Sequence, residues 1–194
     1  LVSHGGVGRN IAENLHRMGD NRISLLSAVG EDVFGRDALD NLAQSGLDPG
    51  GILRMPRART AIYLSILDEE GEMVLALSDM EVLERITPAQ IQDFSPALAD
   101  ASALALDANL TEEALEFSAR RFSDKRIFVD PVSVEKSRRI RNILPSCYAL
   151  KPNRVEAEAL SGLALRSGED LRAAGNFFLE QGVRMIFISL GAEG

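Results

Sequence analysis

The sequence predicts an α/β fold: a mostly parallel sheet flanked by helices, carrying a small β lid. Three observations lead there. From Ala101 to Leu190, short apolar runs alternate with amphipathic helical patterns, and such alternation builds a parallel sheet covered on both faces. The run "TAIYLSILDEEGEMVLALSD", Thr60 to Asp79, interrupts that texture. It reads as two β-rich runs around a Glu69-Glu70-Gly71-Glu72 turn, hence a hairpin standing out from the main sheet. Glycines and polar residues gather just after the strands, where open parallel sheets place their ligands. The expected organisation is a core of residues 1–58 and 82–194 with a lid at 59–81.

Each element follows from its local pattern. "SHGGVGRNIAENLHRMG" packs Gly5, Gly6 and Gly8 into four positions, then turns helical, with Ile11, Leu15 and Met18 on one face and Gly19 as the stop. "RISLLSAVG" reads as a buried strand. "FGRDALDNLAQSG" is helical, with Leu39, Leu42 and Ala43 inward and Gly46 as the stop. After the hairpin, Thr87 caps a short helix with Pro88 at its first position. "ASALALD" is a strand, and Thr111 caps "EEALEFSARRF". "RIFVDP" is a strand stopped by Pro131, and "VEKSRRIRNIL" is a basic helix. "SCYALKPN" is a strand ending at Pro152, and "RVEAEALSG" is a helix stopped by Gly162. "EDLRAAGNFFLEQG" is a helix and "RMIFISLG" a strand.

Composition excludes several functions. A net charge of −8 over 194 residues argues against nucleic acid or an anionic membrane as partner. Cys147 is the only cysteine, so no internal disulfide forms. His4 and His16 are the only histidines, too few for a His/Cys zinc site. No apolar run reaches membrane-spanning length and no signal peptide is visible, so the cytoplasm is the expected compartment.

The residues placed to do chemistry follow the strands: Glu31-Asp32, Asp107 with Asn109, Asp130, Lys151 to Asn153, and Ser189 to Gly194. Three stretches stand out, beside the plainer readings of a glycine-rich turn into a helix, a helix cap and an ordinary strand-end turn. Gly6-Val7-Gly8-Arg9-Asn10-Ile11 is close to a dinucleotide fingerprint, and Glu31 lies where a ribose-binding acid could. The final glycine of that fingerprint is absent, and the preceding residues are too few and too polar for a buried strand. Asn153 and Glu156 have capping-box spacing. The same pair presents an amide and a carboxylate at a helix start, where a carboxylate can hold Mg²⁺ directly or through water. "ISLGAEG" runs a strand into glycines, which lets backbone approach a phosphorylated ligand closely.

Taken in order, the glycine turn with Asn10, the hairpin, "DPV", "KPNRVEAEALSG" and "SLGAEG" resemble the ribokinase-like carbohydrate and nucleoside kinases of the phosphofructokinase-B type. The resemblance covers nearly the whole chain. It implies ATP-dependent phosphorylation of a ribose 5′-hydroxyl, with pseudouridine as the nucleoside. Another sugar or nucleoside, or a non-catalytic binder of one, is the alternative. By the same resemblance Gly5, Gly6, Asn10, Asp79, Met80 and Asp107 contact the substrate. Lys151, Asn153, Ser189, Gly191 and Gly194 contact ATP, and Glu156 organises Mg²⁺. A monovalent cation and a homodimer pairing through the lid are further implications. The family's catalytic Asp belongs to a G-A-G-D motif that does not occur here, and the family's N-terminal sugar-gripping Asp is absent too. The expectation is therefore a chain incomplete at both ends, with the catalytic Asp beyond Gly194.

Overall fold

The computed structural model describes residues 3–19 and 22–194. Leu1 and Val2, at the start of the expected core, lie outside them. The chain divides into two compact units that meet in sequence at Ile86 and Thr87. The hairpin falls within the first.

In the first unit, α1 (Val7–Arg17) is followed by β1 (Ser27–Gly30) and α2 (Val33–Gln44). A 3-10 turn at Pro49–Gly51 leads into β2 (Ile52–Met55), parallel to β1. The sequence reading has no β2, and its strand at 22–30 shrinks to β1. The cause is shared: a ladder lasts only as long as its partner, and "ILRM" offers four residues between Gly51 and Pro56. Ile23 and Leu25, expected in the strand, instead pack against the cluster of Ala12, Leu42 and Leu47. The hairpin forms as expected, β3 (Ile62–Leu67) antiparallel to β4 (Met73–Asp79). The Asp68 carboxylate closes its turn by accepting from the Glu70 and Glu72 N–H groups. A short α3 (Glu81–Glu84) follows.

The second unit is a four-stranded parallel sheet in the order β5 (Ala103–Asp107), β6 (Arg126–Asp130), β7 (Cys147–Leu150), β8 (Met185–Ile186). Its helices are α4 (Pro88–Phe94), α5 (Glu112–Arg121), α6 (Val134–Ser137), α7 (Arg154–Ser161) and α8 (Gly168–Glu180). Local chemistry sets their ends. Thr87 forms a full capping box with Gln90, Thr111 accepts from the Ala114 N–H, and Gly162 closes α7 in the left-handed region. The core holds Leu106, Leu115, Ile127, Leu150 and Phe178 among others. Such aliphatic and aromatic burial is worth about 2 kcal/mol per side chain.

Two expectations for this unit need correction. The basic helix at 134–144 is α-helical only through Ser137 and continues as a 3-10 helix to Ser146. Pro145 lacks the N–H an α-helix would use there, and Ile140 and Ile143, three apart, both reach the core. The last strand shortens to β8, because Pro152 has no N–H to extend the β7 ladder. Contact resumes as one isolated parallel bridge, Asn153 to Ser189.

Candidate functional site

The first unit carries two groups of expected substrate residues. In the glycine turn, Gly6 caps α1 at φ +107 with no side-chain cap, and Gly5 and Gly6 are exposed. That φ is open to glycine and strained for any L side chain. A Cβ added at Gly5 would meet nothing within 4 Å, so packing does not demand glycine there, and the space above the turn is open. Asn10, one turn into α1, is exposed. Its N–H donates to the Gly6 carbonyl at 2.9 Å and its Oδ1 accepts from Arg9 at 3.3 Å. Arg9 is itself anchored by Asn41 Oδ1 at 2.8 Å and Glu13 at 2.7 Å. The structure thus joins Gly5, Gly6 and Asn10 in one exposed feature.

Asp79 and Met80 lie where β4 runs into α3. Asp79 is 3.6 Å from the Arg59 guanidinium, and Met80 is the residue before α3. At the same base of the hairpin, where the chain enters β3, Asp32 does something the sequence reading overlooked. Its carboxylate accepts from the Gly35 N–H (2.8 Å), the Thr60 N–H (2.8 Å) and the Thr60 hydroxyl (2.6 Å), while the Gly30 N–H donates to that hydroxyl. The root of β3 is pinned to the start of α2. Desolvation, the largest single influence, pushes the Asp32 carboxyl up, but the Thr60 and Gly35 hydrogen bonds together outweigh it and hold it below its ordinary value. The signal was present: an Asp directly before a helical run is an N-cap pattern.

In the second unit the strand ends form a row. Asp107 and Asp130 are register partners on β5 and β6, and Lys151 follows Leu150, the partner of Val129. Each Asp accepts the N–H two residues on: Asn109 to Asp107 and Val132 to Asp130, both 2.9 Å. Lys151 Nζ lies 3.9 Å from Asp130 Oδ2. Asn109 is only 6% exposed, and its Oδ1 accepts from Lys136 Nζ at 2.6 Å. Lys136 was missed by the sequence reading, which saw only a basic helix.

After the same strand as Lys151, Asn153 and Glu156 realise the capping box. The Glu156 N–H donates to Asn153 Oδ1 and the Asn153 N–H to Glu156 Oε2, each at 2.9 Å. Glu156 as a residue is 5% exposed. The Asn153–Ser189 bridge sets this helix start beside the β8 end. There Gly191 and Gly194 adopt φ +65 and +126 with nothing within 4 Å of an added Cβ, so the backbone is approachable. Lys151, Asn153, Glu156, Ser189 and Gly191 therefore lie at two adjacent strand ends. A helix start with an amide and a carboxylate, beside open glycine backbone and a lysine, suits a phosphate-bearing ligand.

Among the described residues no group of three His, Cys, Asp or Glu side chains could hold a metal. Mg²⁺ needs no such cage, since it binds through one or two carboxylates, waters and substrate phosphates, so Glu156 fits that role. Burial pushes the Cys147 thiol up to about 12 and leaves it neutral, a packing residue whose Sγ donates to the Ile143 carbonyl. No helix among the described residues is long and apolar enough to cross a membrane.

Comparison with known proteins bears on what these two sites serve. The family model described as pfkB family carbohydrate kinase matches residues 2–194. The chain is 40% identical over 190 residues to the pseudouridine kinase of Escherichia coli, covering 98% of this chain and 60% of that protein. It is 37% identical over 191 residues to an uncharacterised sugar kinase of the same bacterium, covering 98% of this chain and 52% of that one. The structure of Arabidopsis thaliana ribokinase, complexed with ribose and ATP, superposes with a TM-score of 0.77 at 18% identity, over 98% of this chain and 62% of that one. That likeness shows a ribokinase-like fold. The chain thus spans a little over half the length of the curated relatives it matches.

Proposed function

The chain belongs to the pfkB family of carbohydrate kinases, and on that premise we propose that the whole protein transfers a phosphoryl group from ATP to the ribose 5′-hydroxyl of pseudouridine. The observation that carries the nucleoside is the 40% identity, over 98% of this chain, to a pseudouridine kinase. The geometry supports the division of labour. The exposed glycine turn lets a sugar approach backbone closely, and the Asn10 amide both donates and accepts towards hydroxyls. Asp79 and Met80, at the foot of the hairpin, are further substrate contacts in the first unit, and the family resemblance adds Asp107 in the second. Residues 59–81 act as the lid.

Phosphoryl transfer is mainly positioning and charge stabilisation. Lys151 supplies positive charge to the ATP phosphates, and the Asn153 amide supplies N–H donors beyond the oxygen used in its cap. Ser189, Gly191 and Gly194 offer backbone to the nucleotide. Glu156 would hold Mg²⁺, which would supply charge neutralisation at the phosphates.

The test is a panel of pseudouridine, uridine, adenosine and ribose, given to the intact protein with ATP and Mg²⁺. The expected result is the highest kcat/KM for pseudouridine, with a 5′-phosphate as product. Highest turnover of ribose or another nucleoside would move the assignment to that substrate, as the 37% identity to a sugar kinase favours. No phosphate transfer to any acceptor would overturn the enzyme and leave a binder.

A further inference from the structure

The turn after β6 is built in an unusual way. Val132 sits at φ +67, a left-handed conformation that is a genuine outlier for a β-branched residue. The Ser133 N–H donates to the Pro131 carbonyl at 2.7 Å across it, closing a γ-turn of the rare, strained form. Glycine would adopt this conformation freely, but Val132 packs its side chain against the core. Strain of this kind persists where the surroundings over-determine it, and it clusters at functional sites.

The strained turn does one visible thing. It delivers the Val132 N–H to Asp130 Oδ1 at 2.9 Å. One carboxylate oxygen is thereby clamped, and the other, Oδ2, faces Lys151 Nζ at 3.9 Å. At that distance the charges attract without a hydrogen bond, so the ammonium's donors remain for a ligand. The exposures agree: the Asp130 side chain is 24% exposed and that of Lys151 is 61% exposed. The carboxylate is held back at the strand end, and the lysine reaches into solvent.

We propose that Asp130 is a positioning residue for Lys151: its clamped carboxylate holds the ammonium at the end of β7, where the ammonium meets the phosphates of the nucleotide. This rests on the nucleotide-binding reading of Lys151 given above. A free lysine samples many rotamers and loses that freedom on binding. A fixed counter-charge beside it removes part of that loss in advance.

The experiment is a double-mutant cycle on the intact protein, with the Kd for ATP·Mg²⁺ measured by calorimetry and Tm recorded alongside. Lys151→Met should weaken ATP about tenfold. Asp130→Asn, which keeps an acceptor for the Val132 N–H but drops the charge, should weaken it about threefold with little change in Tm. Asp130→Ser, which also keeps a local acceptor, should give the same loss. The pair Asp130→Asn with Lys151→Met should bind no worse than Lys151→Met alone. Unchanged ATP affinity in both Asp130 variants would overturn the proposal, as would losses that multiply in the double variant or a Lys151→Met protein that binds like wild type. If wild-type protein binds no ATP, the nucleotide reading itself fails, a result separate from all of these.

Discussion

Asn153 is both a helix cap and an expected ATP contact, and a single substitution separates the two. Aspartate caps as well as asparagine but puts negative charge where phosphates are proposed. Asn153→Asp should therefore keep Tm within about 2 °C while weakening ATP about tenfold, read by calorimetry on intact protein. Asn153→Ala should lose about 1 kcal/mol of stability as well. If Asp binds ATP as well as Asn does, the residue is a cap and nothing more. The same logic applies to Asn10, an exposed residue whose Oδ1 accepts from the half-buried Arg9. Asn10→Ala should raise the KM for the nucleoside while leaving Tm and the KM for ATP nearly unchanged. An equal loss of fold would make Asn10 a helix-packing residue instead. Asp32 makes a pH prediction. Its carboxyl is held below its ordinary 3.8, so its contribution to stability is complete above the unfolded value. It is lost as pH falls through the lower, folded one. Stability measured from pH 6 down to 2.5 should fall less steeply in Asp32→Asn, which starts less stable at pH 6 because the Thr60 and Gly35 donors lose a charged acceptor.

Among elements, legibility tracked how local the causes were. Thr87, Thr111, Asn153 and Gly162 cap the helices the sequence assigned to them, because caps depend on residues three or four apart. The strands were harder. "ILRM" becomes β2 only because β1 lies beside it, and β8 is cut short by Pro152 on its neighbour rather than by anything in "RMIFISLG". The site divides the same way. Asn153 with Glu156 could be read from spacing, whereas the Asp32–Thr60 anchor, 28 residues apart, and the Lys136–Asn109 contact, 27 apart, required the fold. The hairpin was legible as an element, and its pairing now gives it two unlike faces. Leu64 opposes Leu77 and Ile66 opposes Leu75, while Tyr63 opposes Ser78 and Ser65 opposes Ala76. The apolar face is open, with Leu64 52% and Leu77 55% exposed. A two-stranded hairpin is marginal alone, and an apolar face of this kind marks an interaction surface. We propose that a second copy of the chain covers it. Light scattering on intact protein should give a dimer, and Leu64→Asp should give a monomer with an unchanged unfolding midpoint for the rest of the molecule. A wild-type monomer at micromolar concentration would overturn the pairing.

For the molecule as a whole, the two units present different levels of internal support. The second encloses a continuous apolar core in which Leu115, Ile140, Leu150 and Phe178 are fully buried. In the first, Ala12, Leu42 and Leu47 form a small buried cluster, and that unit carries the exposed hairpin. Local opening costs least where few apolar contacts back the hydrogen bonds. Amide exchange on the intact protein should therefore be fastest in residues 62–79 and slowest in β6 and β7. Ligands sharpen this into a test of the whole assignment, because a ligand stabilises what it contacts. Pseudouridine alone should slow exchange at residues 5–10 and 60–80. A non-hydrolysable ATP analogue with Mg²⁺ should slow it at 151–156 and 187–191. Each half can fail by itself: nucleotide protection at 5–10, with none at 151–156, would exchange the proposed roles of the glycine turn and the capped helix. Protection by pseudouridine confined to 151–156 would take the nucleoside away from Asn10. Protection in the two expected places, by the two ligands separately, is the pattern that a kinase with a sugar turn in its first unit and a phosphate site in its second requires.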